Sequence, residues 1–354
     1  MRQWTVGSGD KDRRLSRYLQ KKLPGAPSSF LYKMLRKKNI TLNGKKASGN
    51  ELLYEGDLVT FFLSDETIKG FGGAVGNEET SGEGAERKLQ EYVRAYRQLR
   101  GRIGPDGILY EDDNILAARK PVGVLSQKAE DTDISMNEWF VGYLLEKGET
   151  GAGLSDGFRP SVCNRLDRNT GGILLFAKTL RGARKMAELL RDRSLKKYYQ
   201  AAVAGTVKES GSIGGYLVKD KMTNRVTFQK APVPNTAPMP NIDPQSGAGF
   251  TRTTYRPLIT GRKYSLLELE LITGKTHQIR SHLASIGHPV LGDPKYGDLA
   301  LNKRIRDEYG LRGQMLWCSR VEFPQMDGEF AELSKKVILC DPPALYRSVC
   351  ERQG

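Results

Sequence analysis

Apolar positions along the chain fall into short runs whose spacing predicts an alternation of strands and helices. Ile173-Leu174-Leu175-Phe176 is a continuous apolar run of strand length and predicts a buried strand. Leu267-Glu268-Leu269-Glu270-Leu271 alternates with period two, as a strand with one buried face does. From Thr179 to Arg193 the period changes, and Leu180, Ala183, Met186, Leu189 and Leu190 are predicted to line the inner face of a helix. A second helix is predicted to open after Thr273-Gly274-Lys275, with Ile279, Leu283 and Ile286 facing a core. Alternating strands with few long helices and no internal repeat suit an α+β fold with a mainly antiparallel sheet.

The front of the chain reads differently. Residues 13 to 23 have a helical pattern, and Ser28-Ser29 is a good N-cap pair for a second helix with Leu31 and Leu35 on one face. Ile40-Thr41-Leu42, an Asn43-Gly44 turn and Lys45-Lys46 predict a hairpin, followed by Gly56-Asp57 and the strand-like Leu58 to Phe62. Residues 1–63 are therefore expected to form a small unit, and 64–104, rich in Gly, Glu and Ser, a mobile linker with a helix over Glu86 to Arg102. The remainder, 105–354, forms the third part. Within it a hairpin is expected near Thr223-Asn224-Arg225. The five prolines of 231–250 then predict an exposed loop.

Length and charge sharpen this division. The 354 residues fit about two domains, and a hydrophobic fraction of 38% suffices for a core. The net charge is +15, and residues 1–63 hold 13 Lys and Arg against 5 Asp and Glu, or +8. Such a focused patch, with Arg36, Lys37 and Lys38 crowding the end of the second helix, implies a polyanionic partner. A plain basic helical hairpin is the alternative. No apolar run approaches the ~18 residues of a membrane span, and Met1-Arg2-Gln3-Trp4 lacks the apolar core of a signal peptide. The expectation is a cytoplasmic protein without membrane partners, its four scattered cysteines free.

Several patterns lead away from other chemistries. His277, His282 and His288 are five and six residues apart, which does not gather them on one helix face, so no metal site is expected. Gly274-Lys275-Thr276 resembles the end of a phosphate-binding loop, but Leu269 stands where that loop needs a glycine. Gly70-Phe71-Gly72-Gly73-Ala74-Val75-Gly76 has the wrong spacing for a dinucleotide fingerprint. Cys163 lies four residues before Asp167 with no local base to activate it, so packing is its expected role.

Two segments carry candidate chemistry. Asn164-Arg165-Leu166-Asp167-Arg168-Asn169-Thr170-Gly171-Gly172 offers a carboxylate between two arginines, and Thr273-Gly274-Lys275-Thr276-His277-Gln278-Ile279-Arg280-Ser281-His282 offers a guanidinium near a helix start. Taken alone, such a pair is as readily a structural salt bridge. With Lys197-x-Tyr199-x-Ala201-x-Val203-x-Gly205 between them, and Ile108 to Leu116 and Lys120-Pro121-x-Gly123 before them, the chain resembles the RluA/RluC/RluD family of pseudouridine synthases over roughly residues 105 to 325.

That resemblance implies a mixed sheet with a cleft across its middle. It matches Asp167 to the catalytic aspartate, Tyr199 to the active-site tyrosine and Arg280 to the arginine paired with the aspartate. Arg165, Arg168, Lys197, His277 and Gln278 are expected to support the site or touch RNA. The reaction implied breaks the N-glycosidic bond of a uridine in RNA and rejoins the base through carbon, with no cofactor. An ionised Asp167 can act as nucleophile, Arg280 can favour its charge, and Tyr199 can stack on uracil or relay a proton. Attack on the ribose, attack on the base and removal of a ribose proton all fit these residues. The family usually has His at Asn164, Arg at Lys275, Ser at Gly171 and a His near Trp317.

The front unit resembles the α-L RNA-binding module of several ribosomal proteins, tyrosyl-tRNA synthetases and some pseudouridine synthases. By that analogy the partner is RNA of the large ribosomal subunit (23S-type), with transfer RNA a second candidate and no obligate protein partner. A non-catalytic RNA-binding or ribosome-assembly factor on the same fold is the rival reading, and an unrelated chemistry using Asp167 is a further one.

Overall fold

In the computed structural model, which describes residues 2–72, 82–149, 158–219, 226–231, 249–311 and 313–352, the chain divides into two compact units. Met1–Val93 with Gly142–Pro160 form one, and Arg94–Val141 with Ser161–Gly354 the other.

In the first unit, β1 (Arg2–Thr5), β2 (Ile40–Leu42), β3 (Lys45–Lys46) and β4 (Leu58–Phe61) form an antiparallel sheet in the order β1-β4-β2-β3. The hairpin is closed as expected, with Asn43 (φ 49°) and Gly44 (φ 72°) both left-handed, the conformation a tight two-residue turn demands. Helices Leu15–Lys22 and Ser28–Arg36 bury Leu15, Tyr18, Leu19, Leu31 and Leu35 in one core with Ile40, Val59 and Phe61. The expected cap differs in detail: Pro27, with extended ψ, is the N-cap, Ser28 lies inside the first turn, and no side chain caps the helix. The core also continues beyond residue 63, because helix Asp65–Gly70 buries Ile68 in it and Phe71 packs on Phe30 at 4.7 Å. The helix expected over Glu86 to Arg102 runs from Gly82 to Ile103. Gly73 to Gly76 of the Gly-rich segment lie outside the described residues.

The second unit is built on one large sheet. Its strands are β5 (Ile108–Glu111), β6 (Ile115–Lys120), β7 (Ser161–Val162), β8 (Gly171–Ala177), β9 (Lys196–Ala204), β10 (Gly211–Lys219), β11 (Val226–Lys230), β12 (Phe250–Thr260), β13 (Tyr264–Leu271), β14 (Leu316–Glu322) and β15 (Val337–Leu339). They lie in the order β11-β10-β12-β13-β9-β14-β8-β6-β5, with β7 on β8 and β15 on β14. Among the described residues the β14–β8 ladder is parallel and the other ladders antiparallel, which gives the mixed, mainly antiparallel α+β sheet expected. The apolar run of β8 is buried at every position, and β13 buries Leu267 and Leu269 as its alternation requires.

The parallel pairing explains the two glycines that open β8. A Cβ on Gly172 (φ 105°) would stand 2.1 Å from the Cys318 carbonyl oxygen, and one on Gly171 would stand 2.2 Å from the Trp317 ring. Trp317 thus fills the room that a serine at 171 would need. Helix Leu180–Arg191 packs through Gly182, Met186 and Leu189. Leu180, expected inside, is exposed, because it stands about 200° around the helix from Gly182. Arg225 and the turn at Thr223-Asn224 lie outside the described residues, as does 232–248 of the proline-rich loop.

Candidate active site

Asp167 lies in the connection between β7 and β8, and the sequence fastens that connection on both sides. The Ser126 hydroxyl receives the Leu166 N–H (3.0 Å) and donates to the Leu166 carbonyl (2.9 Å). Lys120, at the end of β6, is fully buried, and its ammonium donates to the carbonyls of Arg168 (3.0 Å), Val124 (2.6 Å) and Pro121 (3.1 Å). The Gly123 N–H also reaches the Arg168 carbonyl, and Thr170 N–H closes a turn on the Asp167 carbonyl. Gln314 then holds the Thr170 hydroxyl at 2.7 Å. The backbone around Asp167 is therefore fixed while its side chain stays partly open. Burial pulls the Lys120 pKa down to about 7, against the nearby Asp167 charge, which favours the ammonium.

Arg280 comes from helix Gln278–Ser285, which follows β13. Gln278 fixes its start by donating to the Arg252 carbonyl (3.1 Å) and the Thr253 hydroxyl (3.0 Å) and by accepting from Thr273 Oγ1 (2.8 Å) and Lys275 N–H (3.2 Å). Gln278 is buried, and both ends of its amide are engaged in these bonds. Two residues on, Arg280 Nη1 donates to Asp167 Oδ2 at 2.8 Å. Its Nε and Nη2 donate to Asp293 Oδ2 and Oδ1, both at 2.7 Å. Burial opposes the charge of Arg280, but the bonds and charges of Asp293 and then Asp167 outweigh it and raise its pKa. Burial likewise opposes the Asp293 carboxylate, and Arg280 overcomes it and lowers its pKa.

Tyr199 stands on β9, opposite Cys318 of β14 and Leu269 of β13. Burial raises its pKa well above the ordinary value, with the Cys318 thiol and the Asp167 charge adding to the shift, so the phenol stays protonated beside the carboxylate. Lys197 shares the Tyr199 face of β9 by strand alternation and is half-buried, with its pKa lowered by that burial. His277 is left-handed (φ 54°) at the helix start, and its Nδ1 meets the Tyr296 hydroxyl at 3.1 Å. Burial lowers the His277 pKa.

Other expected residues lie apart from the pair. Arg165 is exposed, and Arg168, also exposed, turns its Nε toward the Gly123 carbonyl at 3.3 Å. Arg36, Lys37 and Lys38 are exposed in the first unit. The other two histidines have structural partners, His282 with the hydroxyls of Thr251 and Thr253 and His288 with the Ala204 carbonyl. Asn164 accepts the Leu175 N–H at 2.9 Å. Burial raises the Cys163 thiol to about 12, which makes it inert. All four cysteines are free, and among the described residues no helix is long and apolar enough to cross a membrane.

Three site residues escaped the sequence reading. Lys120 was part of a recognised motif without a role, Ser126 carries no local signal, and Asp293 sits in Gly292-Asp293-Pro294, which reads as a surface turn.

A buried arginine joined to a partly exposed carboxylate, with a buried tyrosine whose pKa that carboxylate helps to raise, defines the candidate site. Residues 114–285 match the family model described as RNA pseudouridylate synthase. The chain is 33% identical over 230 residues to a tRNA pseudouridine synthase C of Haemophilus ducreyi, covering 61% of this chain and 84% of that protein. It is 28% identical over 289 residues to a ribosomal large subunit pseudouridine synthase C of Rickettsia typhi, covering 80% and 82%. The fold is shared with a human RNA pseudouridylate synthase domain-containing protein at 23% identity and a TM-score of 0.54, over 75% of this chain and 97% of that one. The chain belongs to the RNA pseudouridylate synthase family and is an RNA pseudouridine synthase.

Proposed function

We propose that Asp167 is the reacting carboxylate, that Arg280 holds and aims it, and that Tyr199 stacks on the detached uracil or relays a proton. The observation that carries this is the 2.8 Å bond from Arg280 Nη1 to Asp167 Oδ2 in a partly open setting, where the Asp167 side chain is 27% exposed and Arg280 5%. Overall, the C1′–N1 bond of the target uridine breaks and a C1′–C5 bond forms. The proton on C5 leaves and N1 takes one up, so the isomerisation is balanced without a cofactor. Arg165 and Arg168, exposed and adjacent in sequence to Asp167, are the side chains we expect to meet phosphates, with Lys197 and His277 as supporting residues.

The target we propose is a uridine of large-subunit ribosomal RNA, reached with residues 1–63 as an RNA anchor joined through 64–104 to the catalytic region 105–354. The relative from Rickettsia typhi is named for the large ribosomal subunit, and the +8 charge of residues 1–63 suits a polyanion. Transfer RNA is the second reading, favoured by the name of the relative from Haemophilus ducreyi. A pseudouridine map of total RNA from cells with and without the gene decides between them. The expected result is the loss of one or more sites in large-subunit RNA, restored by the wild-type gene but not by Asp167→Asn. Loss confined to transfer RNA would move the target, and restoration by Asp167→Asn would remove that residue from its role.

A further inference from the structure

Arg280 serves two carboxylates, and the one that grips it is not the one proposed to react. Asp293 is fully buried and takes two bonds from the guanidinium, through Nε and Nη2. Asp167 takes a single bond, from Nη1 to Oδ2, and its Oδ1 has no hydrogen-bond partner among the described residues. Asp293 is itself over-determined. Its Oδ1 also accepts the Lys295 N–H (2.8 Å) and the Tyr296 N–H (3.1 Å), and its carbonyl accepts from Asn302 Nδ2 (2.8 Å) and Gly297 N–H (3.1 Å). The guanidinium carbon lies 5.2 Å from the centroid of the Tyr296 ring.

An arginine left to itself prefers a two-bond fork on a carboxylate, which engages both oxygens. On Asp167 such a fork would tie up the lone pairs the reaction needs. It would also leave one guanidinium against one carboxylate, cancelling the anion's charge. With Asp293 on the Nε–Nη2 edge, the plane of the guanidinium is fixed and Nη1 alone is brought to Asp167, and the three groups together keep one negative charge. We propose that Asp293 is a positioning residue which confines Arg280 to a single bond on Asp167 and so leaves Asp167 Oδ1 free to meet the nucleoside. This rests on the reading of Asp167 as the reacting carboxylate.

The competing account is that Asp293 only neutralises a buried arginine. Asp293→Glu separates the two, because glutamate keeps the charge but moves the carboxylate by one methylene. The assay uses the full chain and RNA from cells lacking the gene, labelled with tritium at uracil C5, with single-turnover release at saturating enzyme and filter binding of the same RNA. For Asp293→Asn the expected rate is lower by about a hundredfold, since misaim of about an ångström costs that much. RNA affinity, set by phosphate contacts elsewhere, stays within about threefold. Asp293→Glu is expected to melt near the wild-type temperature yet to remain slowed by at least about tenfold. A wild-type rate for either variant would overturn the proposal, as would a loss that falls on affinity instead of rate. Each variant decides alone if the other does not fold. Turnover by Asp167→Asn would overturn the underlying reading instead, whereas its inactivity beside a fully active Asp293→Glu would sink only the role of Asp293.

Discussion

The two units use basic residues in opposite ways. In the first, Arg36, Lys37 and Lys38 stand exposed at the end of a helix as part of a +8 surplus, and among the described residues no one of them is singled out by a buried side-chain partner. In the second, Arg280 is buried with each nitrogen assigned to a named oxygen, and Lys120 is buried on three carbonyls. Exposed charge acts through its number and is screened by salt. Buried charge acts through geometry and fails when one partner goes. Substitutions in the two places should therefore differ in size and in kind.

The largest effect is expected at Arg280. Arg280→Met leaves the fully buried Asp293 without its cation, and breaking a buried pair from one side costs about 3–5 kcal/mol. Denaturant unfolding should show that loss, and single-turnover kinetics a fall in rate of at least about a hundredfold. A rate within a few-fold of normal would mean that the pair is dispensable and that the contrast between the units is false.

Next in size is a steric test of two departures from the family pattern. By the family resemblance a Ser is expected at Gly171 and a His near Trp317, and the structure makes these two residues one feature, since a Cβ at 171 would lie 2.2 Å from Trp317 Cζ3. Gly171→Ser should cost about 1–3 kcal/mol as an overpacked site. Trp317→His, which forgoes the bond from Nε1 to the Cys340 carbonyl (2.8 Å) and opens space, should make Gly171→Ser cheaper in the double variant. Simple addition of the two costs would show that the residues vary independently.

These cases also show what the sequence could carry. The Asp167–Arg280 pair was legible because its motifs are local: Asp167 lies between two arginines before an apolar strand, and Arg280 beside the stripe of Ile279 and Leu283. The antiparallel ladders followed from alternation in β13, and the Asn43-Gly44 turn from its own chemistry. What supports the pair was not legible. Asp293 becomes a buried anion only when β13 and its helix bring Arg280 to it, and Gly292-Asp293-Pro294 is locally a turn like any other. Lys120 ends an apolar strand and looks like a solvent-facing terminus until the Asp167 loop closes over it. Leu180 was placed inside by a period count that could not know that Gly182, pressed against the Asn114 carbonyl, sets the packing face.

Lys120 gives an effect on stability with a defined sign, spread over a range of pH. Its pKa is about 7 in the folded protein against 10.5 as the ordinary value. Below about pH 7 the lysine is charged in both the folded and the unfolded chain, so the cost of burying the charge is present and constant. Between there and 10.5 the unfolded chain keeps a proton that the folded chain has released, and stability rises with pH. Relative to Lys120→Met, the wild type should gain up to about 1.4 kcal/mol per pH unit in that window. Unfolding curves at several pH values check this, and a flat difference would mean that the three carbonyls hold the ammonium charged throughout.

The smallest effect on the chemical step is expected in the first unit. Charge reversal at Arg36, Lys37 and Lys38 touches no buried partner, so the fold should hold and the rate at saturating RNA should stay near normal. Affinity should fall, because each cation that neutralises a phosphate releases counterions, and the slope of log affinity against log salt should become shallower by roughly 2–3. Removing residues 1 to about 100 should deepen both changes, since a tethered anchor raises the effective concentration of the catalytic unit at its RNA without entering the reaction. Binding and single-turnover rates at several salt concentrations separate the two quantities. If the salt slope were unchanged while the rate dropped, these exposed residues would belong to the chemistry after all, and the division between counted and placed charge would not describe this enzyme. An unchanged rate and an unchanged slope together would instead leave the first unit's basic face for a protein partner.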